Sequence, residues 1–312
     1  MLDGDIRLDL HNPRQIVRKA FQHQTTAHIP KGELWLGTDL LKKVGLEDNL
    51  EGHLELIKRL RMDLLCLPIS TDAIYNKTLG YRYFTINDLK EAPRLTDLFV
   101  MAVIDGPFQR LTEEQGLINL LSLWIRGRDN ILEQYNQARR KIEDLLAQAL
   151  ETHVDAVIIA EDLAGEQGPL ISPADIHEYF SPFYVKAVSE IHKKEIYTLF
   201  HSCGKINALV PELVSYGFDG LAAVQHRSND LISFKKAHGS NLTIMAGIDA
   251  DLLETEKISF SALDQYRQLL RSLAPGGGLI LSSCTGLYSD DYYDRIQELY
   301  HIADDTLIKD HI

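Results

Sequence analysis

Cysteine is scarce in this chain: Cys66, Cys203 and Cys284 are the three in 312 residues. So small and odd a number excludes a disulfide framework and fits a reducing compartment, where thiols stay free for chemistry. No apolar run approaches the roughly 18 residues that a membrane span needs. The opening MLDGDIRLDLHNPR carries no apolar stretch of signal-peptide type. Basic residues are also short, 32 against 45 acidic ones, for a net charge of -13. That deficit argues against nucleic acid or a membrane surface as partner, since both attract basic faces. Low-complexity tracts and Pro/Gly/Ser linkers are missing, so residues 1–312 are expected to form one domain. A cytoplasmic enzyme is the expectation.

What is present is the balance of a globular protein, 45% hydrophobic and 25% charged residues. Short apolar, β-branched runs recur, each followed by a helical pattern. They are Leu34–Leu36 (the weakest), Asp63–Pro68, Phe99–Ile104, Val154–Ala160, Ile196–Phe200, Phe218–Val224, Leu242–Ala246 and Gly278–Ser282. Continuous apolar runs suit strands buried on both faces of a parallel sheet. Helical spacing marks Ile142, Leu145, Leu146 and Ala149 within Asn130–Glu151, and Val185, Val188, Ile191 and His192 within Pro173–Lys194. Leu263, Tyr266, Leu269 and Leu270 do the same within Ser261–Leu273. Eight strands alternating with helices predict an α/β fold, a single (β/α)8 TIM barrel, with an open doubly wound sheet as the alternative. The long segment Ser70–Asp97, with Tyr75, Tyr81, Tyr83 and Phe84, reads either as an excursion over the barrel mouth or as a packed irregular insert.

In a barrel the active site lies at the C-terminal ends of the strands. Those ends carry Asp105-Gly106-Pro107, Glu161-Asp162, His201-Ser202-Cys203-Gly204, Gln225-His226, Gly247-Ile248-Asp249 and Ser283-Cys284. His201 and Cys203 are the sharpest pair, because residues i and i+2 at an extended strand end point to the same side. Cys284 comes 81 residues after Cys203, too far for a zinc ribbon, but barrel closure can bring it to the same mouth. One imidazole and two thiolates select zinc, and three ligands leave the fourth tetrahedral position open, as in a catalytic site. That position would take water, a substrate thiol or a carboxylate such as Glu161. Set against this, a chance His-x-Cys pair is easy to find among 12 histidines, and buried cysteine usually packs as a small hydrophobe. Packing is the reading for Cys66. Pro275-Gly276-Gly277-Gly278 lacks the spacing of a phosphate loop and reads as a turn. Asp290, Asp291 and Asp294 read as acids complementing a helix N-terminus.

Several blocks resemble the uroporphyrinogen decarboxylase superfamily: Ala160 through Pro173, Phe200-His201-Ser202-Cys203-Gly204-Lys205-Ile206, Ala246-Gly247-Ile248-Asp249 and Pro275 through Leu281. The likeness runs from about Pro13 to Asp304 and implies a (β/α)8 barrel. Decarboxylases of that superfamily resemble one another in an Arg-Gln-Ala-Gly-Arg stretch that binds substrate carboxylates. Here the matching place reads Ile29-Pro30-Lys31-Gly32-Glu33-Leu34-Trp35-Leu36-Gly37, with both arginines missing. A polyanionic substrate needs bidentate cations, so the lyase reading is weakened. The other branch is similar to zinc-dependent methylcobamide:coenzyme M methyltransferases. That likeness implies zinc on His201, Cys203 and Cys284, and transfer of a methyl group between a corrinoid and a thiol or other small molecule. Glu161, Asp162 and Asp249 are then expected as catalytic orienters or proton acceptors, and Asp105, Gln225, His226 and Tyr75 as substrate contacts. No Asp-x-His-x-x-Gly stretch is present, so the corrinoid is expected on a separate partner protein. The competing classes are a metal-free carboxy-lyase and a barrel that handles tetrapyrroles or corrinoids without turnover.

Overall fold

The computed structural model describes residues 12–70, 75–76 and 80–308. Residues 1–11 of the stretch read for a signal segment lie outside them, and Tyr75 is described in backbone alone. Seven of the apolar runs form one parallel sheet. Its strands are β1 (Leu64–Pro68), β2 (Phe99–Asp105), β3 (Ala156–Ala160), β4 (Tyr197–His201), β5 (Gly220–Val224), β6 (Thr243–Ile248) and β7 (Leu279–Ser283). They lie in sequence order, each hydrogen-bonded to the next, the arrangement expected when right-handed crossovers repeat.

The sheet curls on itself. Alternate residues, Leu64 and Cys66, Phe99, Met101 and Val103, Ala156, Ile158 and Ala160, Leu199, Met245 and Ile280, join one inner cluster. The residues between them, such as Leu65, Val100, Ile104, Ile159, Phe200 and Leu281, pack with the helices in an outer cluster. Period-2 alternation thus feeds two apolar layers from continuously apolar strands. Burying one such Leu, Ile or Phe stabilises by about 1.5–3 kcal/mol. Cys66 sits among the inner residues, 4% exposed, as a packing cysteine. The helix Pro13–Phe21, capped by Asn12 with proline at its start, seals one end of this core. Its Phe21 stacks on Tyr197 at 4.3 Å and on Phe99 at 5.5 Å, at the N-terminal ends of β4 and β2.

The weakest run is where the structure departs from eight regular strands. Residues 30–36 lie between β7 and β1 but make only single bridges, Lys31 to Leu281 and Leu36 to Leu287. Backbone bonds run Leu281 N to Pro30 O, Gly32 N to Leu281 O and Asp63 N to Lys31 O. Side chains complete the rest: Asp63 accepts from the Lys31 amide, and Glu33 accepts from the Ser283 amide. Pro30, which has no N–H to give, and the polar Lys31 and Glu33 explain why no continuous ladder forms.

The described part of the segment 70–97 holds regular elements. Tyr75–Asn76 pairs with Tyr81–Arg82, and a helix spans Ile86–Leu95 behind a Thr85/Asp88 capping box. Within the stretch read as one helix, Pro173–Asp175 leads into a π-helical turn, Ile176–Phe180, before the helix Ser181–His192. Val185 there is 47% exposed; Phe183, Tyr184 and Ala187 take the inward face beside Val188 and Ile191. Residues 275–278 make a turn with positive φ at all three glycines, at the N-terminal end of β7 and away from the mouth. No described helix is long and apolar enough to cross a membrane.

Candidate metal centre

Neighbouring strands β3 and β4 end in Ala160 and His201, which pair across the ladder. Asp162 and Cys203 follow two residues after each. The ligand atoms of Asp162, His201 and Cys203 all lie within 4.8 Å of one another, the one such cluster found among the described residues. His201 Nε2 is 3.8 Å from Cys203 Sγ and 3.8 Å from Asp162 Oδ1. Tetrahedral zinc with ordinary bond lengths would separate a nitrogen and a sulfur ligand by roughly 3.6 Å.

The imidazole is oriented by backbone. Its Nδ1 lies 2.8 Å from the carbonyl oxygen of Ala222. A carbonyl only accepts, so Nδ1 carries the proton and Nε2 presents its lone pair to Cys203 and Asp162. That carbonyl stands beside a bulge: Met245 pairs with Ala222 and Ala246 with Val224, skipping Ala223, which has φ +52°. Bulges beside active sites commonly aim groups in this way. Burial holds the His201 pKa below its usual value, against the opposing pull of Asp162 and the Ala222 carbonyl. The neutral ring is the metal-binding form.

The loop after β4 is clamped from three directions. Asp162 Oδ1 accepts from the Cys203 amide at 2.9 Å. Ser202 Oγ accepts from the Leu163 amide and donates to the Cys203 carbonyl. Asn229, 5% exposed, accepts from the Ile206 amide and donates to the Gly204 and Gln225 carbonyls. Gln225 Oε1 accepts from the Gly204 amide at 3.1 Å. Gly204 has φ +81°, and a Cβ there would sit 2.5 Å from the Ala164 carbonyl oxygen, so glycine is required. Burial and the neighbouring Asp162 push the Cys203 thiol far up; without a cation beside it, the sulfur stays protonated.

Cys284 follows β7 and is 2% exposed. Its thiol hydrogen-bonds to Asp249 and is close enough to Cys203 to feel its charge, yet it stands outside the three-atom cluster. Asp249 accepts from the His226 and Arg227 amides, and its Oδ2 lies 3.1 Å from His226 Nδ1. Burial raises the Asp249 pKa, but the contacts with His226, Arg227 and Cys284 outweigh it and hold the carboxyl below its usual range. The structure therefore brings two of the three expected ligands together, puts Asp162 third, and leaves Cys284 on a neighbouring Asp249–His226 group.

Glu161 is fully buried and turned away from the cluster. Its oxygens accept from the Tyr184 hydroxyl at 3.0 Å and the Gln109 amide at 2.8 Å. The second bond lies at the N-terminus of helix Pro107–Gln115, where a carboxylate suits the helix dipole. Burial still pushes its pKa up to about 8. Gly106 makes room for it, since a Cβ there would come 2.1 Å from the Glu161 carboxyl carbon. Asp105, on β2, accepts from the Tyr83 hydroxyl at 2.5 Å; burial and Glu113 raise it to about 7. It also lines a cavity of about 300 Å³ with Ile69, Arg110 and Lys141.

On the aromatic side of the site, reading the sequence singled out Tyr81, in the segment that could pass over the mouth, but missed Trp35 and Tyr288. Trp35 meets His201 edge-on at 4.8 Å. Tyr81 packs on Trp35 at 6.1 Å and on Tyr288 at 5.9 Å. Trp35 was within reach, standing in the block that departs from the decarboxylase pattern; nothing in the spacing marked Tyr288.

Residues 67–305 match the family model described as uroporphyrinogen decarboxylase (URO-D), and the chain belongs to that family. Within it, the chain is 24% identical over 190 residues to the methylcobamide:CoM methyltransferase MtaA of Methanosarcina barkeri. That stretch is 59% of this chain and 53% of MtaA, so the chain spans about half the length of the curated relative. Among solved structures, a methyltransferase from Methanosarcina mazei superposes with a TM-score of 0.74 at 14% identity, over 95% of this chain and 99% of that one. A B12-independent methionine synthase from Shewanella sp. gives 0.57 at 12% identity, over 92% and 97%. These structural likenesses carry the fold.

Proposed function

We propose that this chain, as one domain over 1–312, is a zinc-dependent methyltransferase of the URO-D family acting in the cytoplasm. It moves a methyl group between a corrinoid, carried on a separate protein, and a thiol or other small molecule. The observation that supports this most is the His201 ring, fixed by Ala222 so that Nε2 faces Cys203 and Asp162. An imidazole nitrogen, a thiol and a carboxylate gathered within 4.8 Å of one another suit zinc. His201 and Cys203 are assigned as ligands. Cys284 is the second thiol at the mouth and the third proposed ligand, and Asp162 either completes the set or gives way to it. Bound there, zinc supplies a Lewis acid that keeps a substrate thiol ionised near neutral pH.

The chain's own residues do the rest. Asp162 holds the Cys203 backbone in place, and Asn229 and Gln225 fix the loop behind it. Asp249 and His226 form a pair able to hold a proton beside Cys284. Glu161 anchors the helix that follows Asp105. Asp105, Gln225, His226 and Tyr75 stay proposed substrate contacts.

The carboxy-lyase alternative loses ground on the cations. Lys31, in the place of the family's arginine stretch, is buried on Asp304. Arg227 pairs with Asp251, and Arg110 with Glu113 and Glu114. Methyl transfer from a methylated corrinoid to a thiol tests the proposal: zinc-dependent turnover supports it. Decarboxylation of a porphyrinogen by metal-free protein would overturn it.

A further inference from the structure

Among the described residues, backbone bonds join β7 and the loop after it to the segment 30–37 at two places. Leu281 bonds with Pro30 and Gly32, and Leu287 with Trp35 and Gly37. Cys284 lies between these rungs. Its own amide donates to the Ile248 carbonyl on the other side, at the end of β6.

One side chain spans the gap. Glu33, 3% exposed, accepts from the Ser283 amide at 3.0 Å, from the Ser283 hydroxyl, and from the Tyr300 hydroxyl at 2.7 Å. Ser283 Oγ in turn accepts from the Gly286 amide at 3.1 Å. Ser283 thus closes the turn 283–286, with Cys284 inside it, and Glu33 holds Ser283. Gly286 has φ +77°, and a Cβ there would come 2.9 Å from the Tyr288 ring and 3.1 Å from Trp35 Cβ, so the turn is pressed against its neighbours.

Burying a carboxylate is costly unless a cation pairs with it. Lys31, two residues earlier, is turned to Asp304 instead. The partners of Glu33 are one backbone amide and two hydroxyls, and an apolar residue in its place would leave the Ser283 amide unpaired. The end of β4 uses no such side chain there: the Glu161 amide donates to the His201 carbonyl, and the Lys205 amide to the Gly165 carbonyl.

We propose that Glu33 is a positioning residue which, acting through Ser283, sets where the Cys284 thiol stands at the mouth. The inference deepens the methyltransferase reading and rests on it for the use of Cys284, but not for its test.

The test is alkylation of the full chain, stripped of metal, with iodoacetamide, each cysteine being followed by peptide mass spectrometry. Cys66, in the inner core, reports global opening. Relative to Cys66, Cys284 is expected to react about tenfold faster in Glu33→Leu and in Ser283→Ala. The second variant cuts the link while leaving Glu33 on Tyr300. Glu33→Gln keeps an oxygen able to accept from Ser283 and should restore most of the natural rate. Tyr300→Phe removes the partner that does not touch the turn and should leave the ratio unchanged. An unchanged ratio in Ser283→Ala, or an equal rise in Tyr300→Phe, overturns the proposal. Cobalt(II) in place of zinc gives a second readout, because its sulfur-to-cobalt charge-transfer band grows with each thiolate bound. In Ser283→Ala that band should fall to its intensity in Cys284→Ser. A quickened Cys284 in a chain whose natural form already shows that lower intensity counts instead against Cys284 as a ligand, and leaves its placement by Glu33 standing.

Discussion

The two sides of the site are built differently. On the β3–β4 side, Asp162, His201 and Cys203 are fixed through backbone: the Ala222 carbonyl, the Cys203 amide and the Asn229 clamp. On the β5–β7 side, the His226 ring and the Cys284 thiol both engage the Asp249 carboxylate, which also accepts from the His226 and Arg227 amides. A ligand held by backbone is in place before the metal arrives; a ligand held by a side chain must exchange that partner first. On the proposed function, the first side would carry the affinity for metal and the second would adjust the chemistry.

This asymmetry is open to direct test. The largest effect should come from His201→Ala, which removes a fixed ligand and should lower zinc affinity by about 100-fold or more. Competition against a chelator of known affinity measures it. Next, Gly204→Ala places a methyl on the Ala164 carbonyl at positive φ and should destabilise the fold by roughly 3 kcal/mol, seen in urea unfolding. A neutral result would show that the loop is not clamped. Asp162→Asn and Cys284→Ser then rank the two sides. The first should weaken zinc by about 10- to 100-fold and the second by less; the reverse order would make Cys284 the true third ligand.

The smallest effect concerns pH. Burial raises Glu33 to about 7, above its unfolded value, despite bonds from Ser283 and Tyr300. A carboxyl with a raised folded pKa stabilises in its protonated form, so that contribution is full below about pH 4.5 and is lost as pH rises through about 7. Stability measured from pH 5 to 8 should fall less steeply in Glu33→Gln than in the natural chain. Equal slopes would show that Glu33 does not titrate in this range.

Much of this was legible in the chain. Apolar continuity located β1 to β7 because strands buried on both faces leave no polar alternation to mislead. His201 and Cys203 were legible because two residues at one strand end must share a side. The segment 30–36 gave a weak signal because Asp63 and Glu33 side chains supply bonds that a regular ladder would make. The tautomer of His201 was not legible at all: it depends on a bulge at Ala223, where the run Leu221–Val224 looks unbroken. The direction of Glu161 was hidden for a similar reason, since it follows from the space left by Gly106 and the amide of Gln109. Trp35, Tyr81 and Tyr288 lie far apart in sequence and meet only in the folded chain.

The most direct test of the central claim is the metal content of protein purified without added zinc, measured by elemental analysis beside His201→Ala and Cys203→Ser. The account predicts about one zinc per chain, lost in both variants. Protein that holds no zinc even when it is supplied would contradict it.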